Sequence, residues 1–156
     1  MKIRKGFVTN SSSPSFIVAY DSEDEMKNIS LEYRNRIIKD IMNPENQITV
    51  QQALDYFEEC CYYSICWEVL EKLREEMGFG YDRYAEWQEW EKAHQEEIEK
   101  KEKEEVQKQI EELKTNIENK KIISMISYSD DTSDEEAILE QYCYDMDGCY
   151  AVLSFH

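Results

Sequence analysis

Two short apolar runs in this chain, residues 16–20 and 122–128, are each followed by carboxylates: Asp21 and Glu23 after the first, Asp130 and Asp131 after the second. Carboxylates at strand exits supply the hard oxygen ligands that divalent cations prefer, and such cations drive phosphoryl chemistry. Open α/β sheets collect sites at strand ends. If the two turns meet at one sheet edge, Asp21, Asp130 and Asp131 are the expected metal ligands, and the chain is a metal-dependent hydrolase of phosphoester or nucleotide substrates. Against this stands the ease of such coincidences in a chain with 35 acids, and the frequency with which Asp and Ser at strand exits cap helices instead. The expectation is therefore no cofactor, with a divalent cation under the hydrolase alternative. Asp145 and Asp147 with His156 form a second, weaker set.

Other chemistry is poorly supplied. The five cysteines, Cys60, Cys61, Cys66, Cys143 and Cys149, include an adjacent pair and no CxxC, which reads as buried free thiols rather than a zinc site. A cysteine nucleophile needs a base, and only His94 and His156 are present. His94 lies on an apolar helical stripe and is expected to pack. No Gly-rich phosphate loop and no Ser-His-Asp arrangement occurs. The catalytic set is expected to be empty.

The elements that position these residues follow from periodicity. Residues 16–20 read as a buried strand, and Leu31, Arg34, Ile37, Ile38 and Ile41 share one face of a helix that ends at Asn43-Pro44. Thr49 and Gln52 have capping-box spacing ahead of a long apolar stripe that Gly78 and Gly80 stop. A second helix is predicted over 81–119, with Tyr84, Trp87, Trp90, His94, Ile98, Val106, Ile110, Leu113 and Ile117 in line. At 1.5 Å per residue it would span about 58 Å, so it must bend or project. Residues 122–128 form another strand, Ser133 and Glu136 another capping box, and 149–155 a last strand after the Asp147-Gly148 turn. The fold class expected is α+β: one domain over 1–156, a three- to four-stranded sheet with packed helices, and an antiparallel helical hairpin inserted at 49–119.

Charge is divided along the chain. Net charge is −17, yet Lys2, Arg4 and Lys5 precede the first acid, Asp21. An acidic body repels nucleic acid and membranes and favours proteins with basic surfaces. The hairpin concentrates this potential in Glu96, Glu97, Glu99, Glu102, Glu104, Glu105, Glu111 and Glu112, and Trp87 and Trp90 near its closed end, for which core packing is the default, are the expected aromatic anchors if they are exposed. A charged helix is equally often a solvated spacer. No apolar run is long enough to cross a bilayer and no leader pattern opens the chain, so a cytoplasmic location is expected.

The opening KIRKGFVTNSSSPSFIVAY resembles the N-terminal signature, roughly KIRxGFVSNSSSSSFIVA, of a group of small uncharacterised proteins of bacteriophages and bacteria. The ending ISYSDDTSDEEAILEQYCYDMDGCYAVLSFH is similar to that group's C-terminus, where an acidic YSD-type turn precedes an EHG-like motif and a strand closes with histidine. Together these cover about 50 of 156 residues. Pro14 interrupts the serine run here, and Glu140-Gln141-Tyr142 replaces Glu-His-Gly. The resemblance implies a phage or mobile-element setting and no assigned activity. The N-terminal stretch of Lys2, Arg4, Lys5, Asn10, Ser11, Ser12, Ser13 and Ser15 reads first as a turn that lets residues 6–8 pair with or pack on 16–20, with the basic tail docking on the protein's own acidic surface. An anion-holding turn and a phosphorylated one are the alternatives. The expectation is thus an acidic binding protein that inhibits a host nucleic-acid-binding or defence protein by occupying its basic surface in the host cytoplasm. Self-association through the hairpin is a further outcome to test.

Overall fold

The computed structural model describes residues 3–4, 14–129 and 131–154. β1 (Ile3–Arg4) and β2 (Pro14–Tyr20) lead into a 3₁₀ turn over Glu23–Asn28 and then α1 (Leu31–Met42). Three helices follow, α2 (Val50–Glu76), α3 (Tyr84–Ala93) and α4 (Gln95–Ile117), and the chain closes with β3 (Ile122–Ser127), α5 (Asp134–Asp145) and β4 (Cys149–Ser154). The strands make one sheet in the order β1-β4-β2-β3. β2 is antiparallel to both β3 and β4, and β1 is parallel to β4. The fold is α+β, as its pattern of strands and helices predicts.

β2 is buried along its whole length because both faces of the sheet are covered. Its side chains divide with the strand period of two. Ile17 and Ala19 join Ala151 and Leu153 of β4 and Ile123 of β3 under Phe57, Cys61 and Ile65 of α2 and Leu113 and Ile117 of α4. Phe16, Val18 and Tyr20 face the opposite way, toward Met26 and Ile29 of the 3₁₀ turn, Ile37 and Ile41 of α1, and Leu139 and Cys143 of α5. A bulge between Ile17 and Val18 lets Cys149 pair with Val18 while Ala151 pairs with Ile17, which skips Tyr150. Ser124, buried on the α1 side, donates its hydroxyl to the Ile41 carbonyl at 2.6 Å and ties the helix end to the sheet.

The helical layer on the other face starts and stops where local chemistry dictates. Thr49 Oγ1 accepts from the Gln52 amide at 3.1 Å, and Gln52 Oε1 accepts from the Thr49 amide at 2.9 Å, a complete capping box. At the far end Gly78 has φ +74°, and the Phe79 and Gly78 amides donate to the Arg74 and Glu75 carbonyls at 3.1 and 3.0 Å. This Schellman closure needs a left-handed residue, which glycine adopts at little cost. α2 and α4 pack together and lie over the sheet.

The continuous helix predicted over 81–119 is broken. His94, with φ −122° and ψ 26°, separates α3 from α4. The break lets Trp87 of α3 turn in against Leu73 of α2 and Ile98 of α4, a small core of its own at the hairpin's closed end. Burial of an indole there outweighs the one or two helical hydrogen bonds forgone at the break. Within the described residues β4 stands between β1 and β2, so the N-terminal segment at 3–4 does not pair with β2. Residues 6–8 lie outside the described residues.

Candidate functional site

The antiparallel register separates the two acidic turns. Tyr20 pairs with Ile122 and Ser15 with Ser127, so Asp21, just past the end of β2, lies beside the start of β3. Asp131 follows the other end of β3, at least about 17 Å away at the rise of an extended strand. Asp21 and Asp131 therefore do not form the shared site expected of them, and Asp130 lies outside the described residues. Asp21 instead pairs with Lys120 at 3.2 Å. Among the described residues no three His, Cys, Asp or Glu side chains converge as metal ligands would.

At the Asp21 end of the sheet, a cleft of about 350 Å³ opens between β2, the 3₁₀ turn, the end of α5 and the Asp147-Gly148 turn. Its walls carry the rings of Tyr20, Tyr142 and Tyr150, the carboxylates of Glu25, Asp145 and Asp147, and the Lys120 ammonium. Tyr20 is 6% exposed, and its hydroxyl has no hydrogen-bond partner among the described residues. The ring packs so closely on Gly148 that a Cβ there would stand 2.1 Å from Tyr20 Cζ. Burial, reinforced by Cys143, Cys149, Tyr142 and Asp147, raises the Tyr20 phenol well above its usual range, so it stays neutral in the fold. The hydrogen bond to Asp21, with Tyr150 and Glu25 nearby, raises the Lys120 pKa. The Tyr142 hydroxyl accepts from the Ser30 amide at 2.8 Å, which fixes that wall against the start of α1. Periodicity shows Tyr20, Tyr142 and Tyr150 only as strand or helix residues, and Asp147-Gly148 only as a turn. Their convergence comes from the sheet order, for which no local motif exists.

At the opposite end a polar network joins α1, α5 and β3. Asp40 accepts from the Tyr128 hydroxyl at 2.7 Å and from Arg36 Nε at 3.1 Å, and Arg36 Nη2 reaches Glu136 at 3.3 Å. Burial and then the hydrogen bond to Asp40 push the Tyr128 phenol far up. Ser133 Oγ accepts from the Glu136 amide as predicted, but the Glu136 carboxylate turns to the Ser129 amide at 3.2 Å rather than closing a capping box. Every member is engaged within the protein, which marks a clamp between elements rather than a binding site.

The hairpin surface carries the anionic residues singled out in the sequence. Glu96, Glu97, Glu99, Glu104 and Glu111 are exposed, and Glu102, Glu105 and Glu112 are half-buried. Glu105 accepts from Gln109 at 2.8 Å, and Glu102 is hydrogen-bonded to the Cys66 thiol, whose pKa burial and that carboxylate push up to about 11. The expected anchors need correction. Trp87 is buried in the third core and Trp90 is half-buried, stacked between Trp87 and His94 with centroids 5.3 and 4.2 Å apart. His94 is packed, its Nδ1 2.7 Å from the Trp90 carbonyl oxygen. Among the described residues the aromatics that face solvent are Tyr63 at 82% and Trp67 at 52% on α2, with Tyr81 just before α3 and Tyr84 at its first position. Tyr81 covers the Arg74 guanidinium at 4.6 Å, and Arg74 itself is held by Glu71 at 2.8 Å and by the Phe79 carbonyl at 2.7 Å.

Of the N-terminal set, Arg4 lies in β1 opposite Val152, and Ser15 is a buried strand residue whose hydroxyl meets that of Ser127 at 2.7 Å, not part of a turn. Lys2, Lys5, Asn10, Ser11, Ser12 and Ser13 lie outside the described residues, as does His156 of the second acidic set. No helix among the described residues is long and apolar enough to cross a membrane. Compared with family models, curated proteins and solved structures, the chain matches none.

Proposed function

We propose that this chain is a non-enzymatic, phage- or mobile-element-encoded binding protein whose helical hairpin occupies a basic surface on a host nucleic-acid-binding or defence protein. The observation that carries this reading is the exposure of Tyr63 and Trp67, one helical turn apart on α2, in a body of net charge −17. Large aromatics left in solvent serve most often as interface anchors, where they bury area at small entropic cost. The surrounding carboxylates attract a cationic partner and repel the polyanions that it would otherwise hold. Competition with nucleic acid is then the mechanism of inhibition.

The test is affinity capture from host lysate with the wild type and with a Tyr63→Ala/Trp67→Ala pair. A basic protein should be retained by the wild type, released by rising salt, lost by the pair, and blocked from its nucleic acid when the wild type is added. Capture that ignores both salt and the aromatic substitutions would sink the reading.

A further inference from the structure

We propose that the cleft at the Asp21 end of the sheet binds an alkylammonium cation. The half-buried rings of Tyr142 and Tyr150 and the carboxylates of Glu25, Asp145 and Asp147, of which Glu25 also accepts from the Asp21 amide at 2.9 Å, are the two kinds of group that together recognise such ions, the rings by their quadrupole and the carboxylates by charge and hydrogen bonds. A volume of about 350 Å³ suits a small organic chain. The carboxylates are dispersed around the walls, since no three ligating side chains converge, and this spacing fits an extended cation better than a bare metal ion. An anion is disfavoured, because Lys120, the one wall ammonium among the described residues, is already paired with Asp21.

Two further observations point to this ligand. Lys120 is itself an alkylammonium seated on the cleft rim, its charged form favoured first by the hydrogen bond to Asp21 and then by Tyr150 and Glu25 of the cleft walls. In addition the Tyr20 hydroxyl, on a residue more than nine-tenths buried, lies against Gly148 of the same wall without a partner among the described residues. A buried hydroxyl in that state is costly, and an N–H donor delivered through the cleft removes the cost. The site is separate from the hairpin surface and stands or falls without it.

Titration calorimetry and tyrosine-ring NMR test the site, with spermidine as the free amine and a lysine-containing peptide as the side-chain source. A single saturable site that shifts the Tyr142 and Tyr150 rings is expected. Tighter binding of the peptide would assign the cleft to a protein side chain, and tighter binding of spermidine to a free amine. Asp147→Asn should weaken binding about fivefold, the worth of one partly screened ion pair, whereas Glu45→Gln, an equal charge change elsewhere, should leave it unaltered. Lys120→Ala should strengthen it by vacating the rim. Tyr20→Phe should raise the stability of the free protein yet lower affinity, a pair of opposite signs that a purely structural hydroxyl would not give. Equal weakening by Asp147→Asn and Glu45→Gln, unmoved tyrosine rings, or no saturable binding in variants with native circular dichroism would overturn the proposal.

Discussion

Gly148 shows how a single residue sets the shape of the cleft. Its φ is not in the left-handed region, so the constraint is space: the Tyr20 ring occupies the volume that a Cβ would need, with Cζ, the hydroxyl oxygen and Cε1 at 2.1, 2.3 and 2.6 Å. The ring cannot yield, because Tyr20 is buried at the end of the central strand. Gly148→Ala is therefore expected to cost about 2–3 kcal/mol, as overpacking in a closed core does. Urea unfolding should show the loss as a lowered midpoint with an unchanged slope. Adding Tyr20→Leu should recover part of it, because the two sites share one volume and their effects cannot add. An alanine at 148 with wild-type stability would mean that the Tyr20 ring does not occupy that position.

At the scale of elements, the closed end of the hairpin behaves as a unit distinct from the sheet. Leu73, Trp87 and Ile98 form a core separate from the two that flank β2. Trp87→Ala should remove about 3 kcal/mol locally, the range for deleting a buried indole. Amide hydrogen exchange should then accelerate across residues 79–98 while β2 keeps its protection; uniform acceleration throughout would show that the tip is not an independent unit. The same region shows where sequence reading stops. The strands at 16–20 and 122–128, the Thr49 cap and the Gly78 stop were legible because period, cap and left-handed glycine are local signals. The break at His94 was not, since Trp87, Trp90, His94 and Ile98 keep helical spacing through it and neither glycine nor proline marks it. The cleft was illegible for a related reason. The acidic turns after 16–20 and 122–128 share a site only if they meet at one sheet edge, which depends on strand direction, and antiparallel pairing puts them at opposite ends.

Across the whole molecule, the face that carries α1 and α5 is the one that alkali should unlock. Tyr20, Tyr128 and Cys143 all lie in that core, and burial raises the pKa of each above its ordinary value of 10.0 for the phenols and 9.0 for the thiol. A group that stays neutral in the fold but ionises in the unfolded chain contributes stability that is intact below its unfolded pKa. That stability is lost as pH rises toward the folded value. The sign is therefore a flat stability near neutrality and a fall that begins near pH 9. The slope should reach about 1.4 kcal/mol per pH unit for each group that ionises only on unfolding. Urea midpoints measured from pH 7 upward should follow this course, and the tyrosinate absorbance of Tyr20 and Tyr128 should appear only together with loss of structure. Tyr20→Phe removes one titrating group and forfeits no protein hydrogen bond, so its alkaline limb should be shallower than that of the wild type. If Tyr20 and Tyr128 titrate near the ordinary phenol value while the helical signal persists, the core on this face is open to solvent and the assignment of its buried hydroxyls fails.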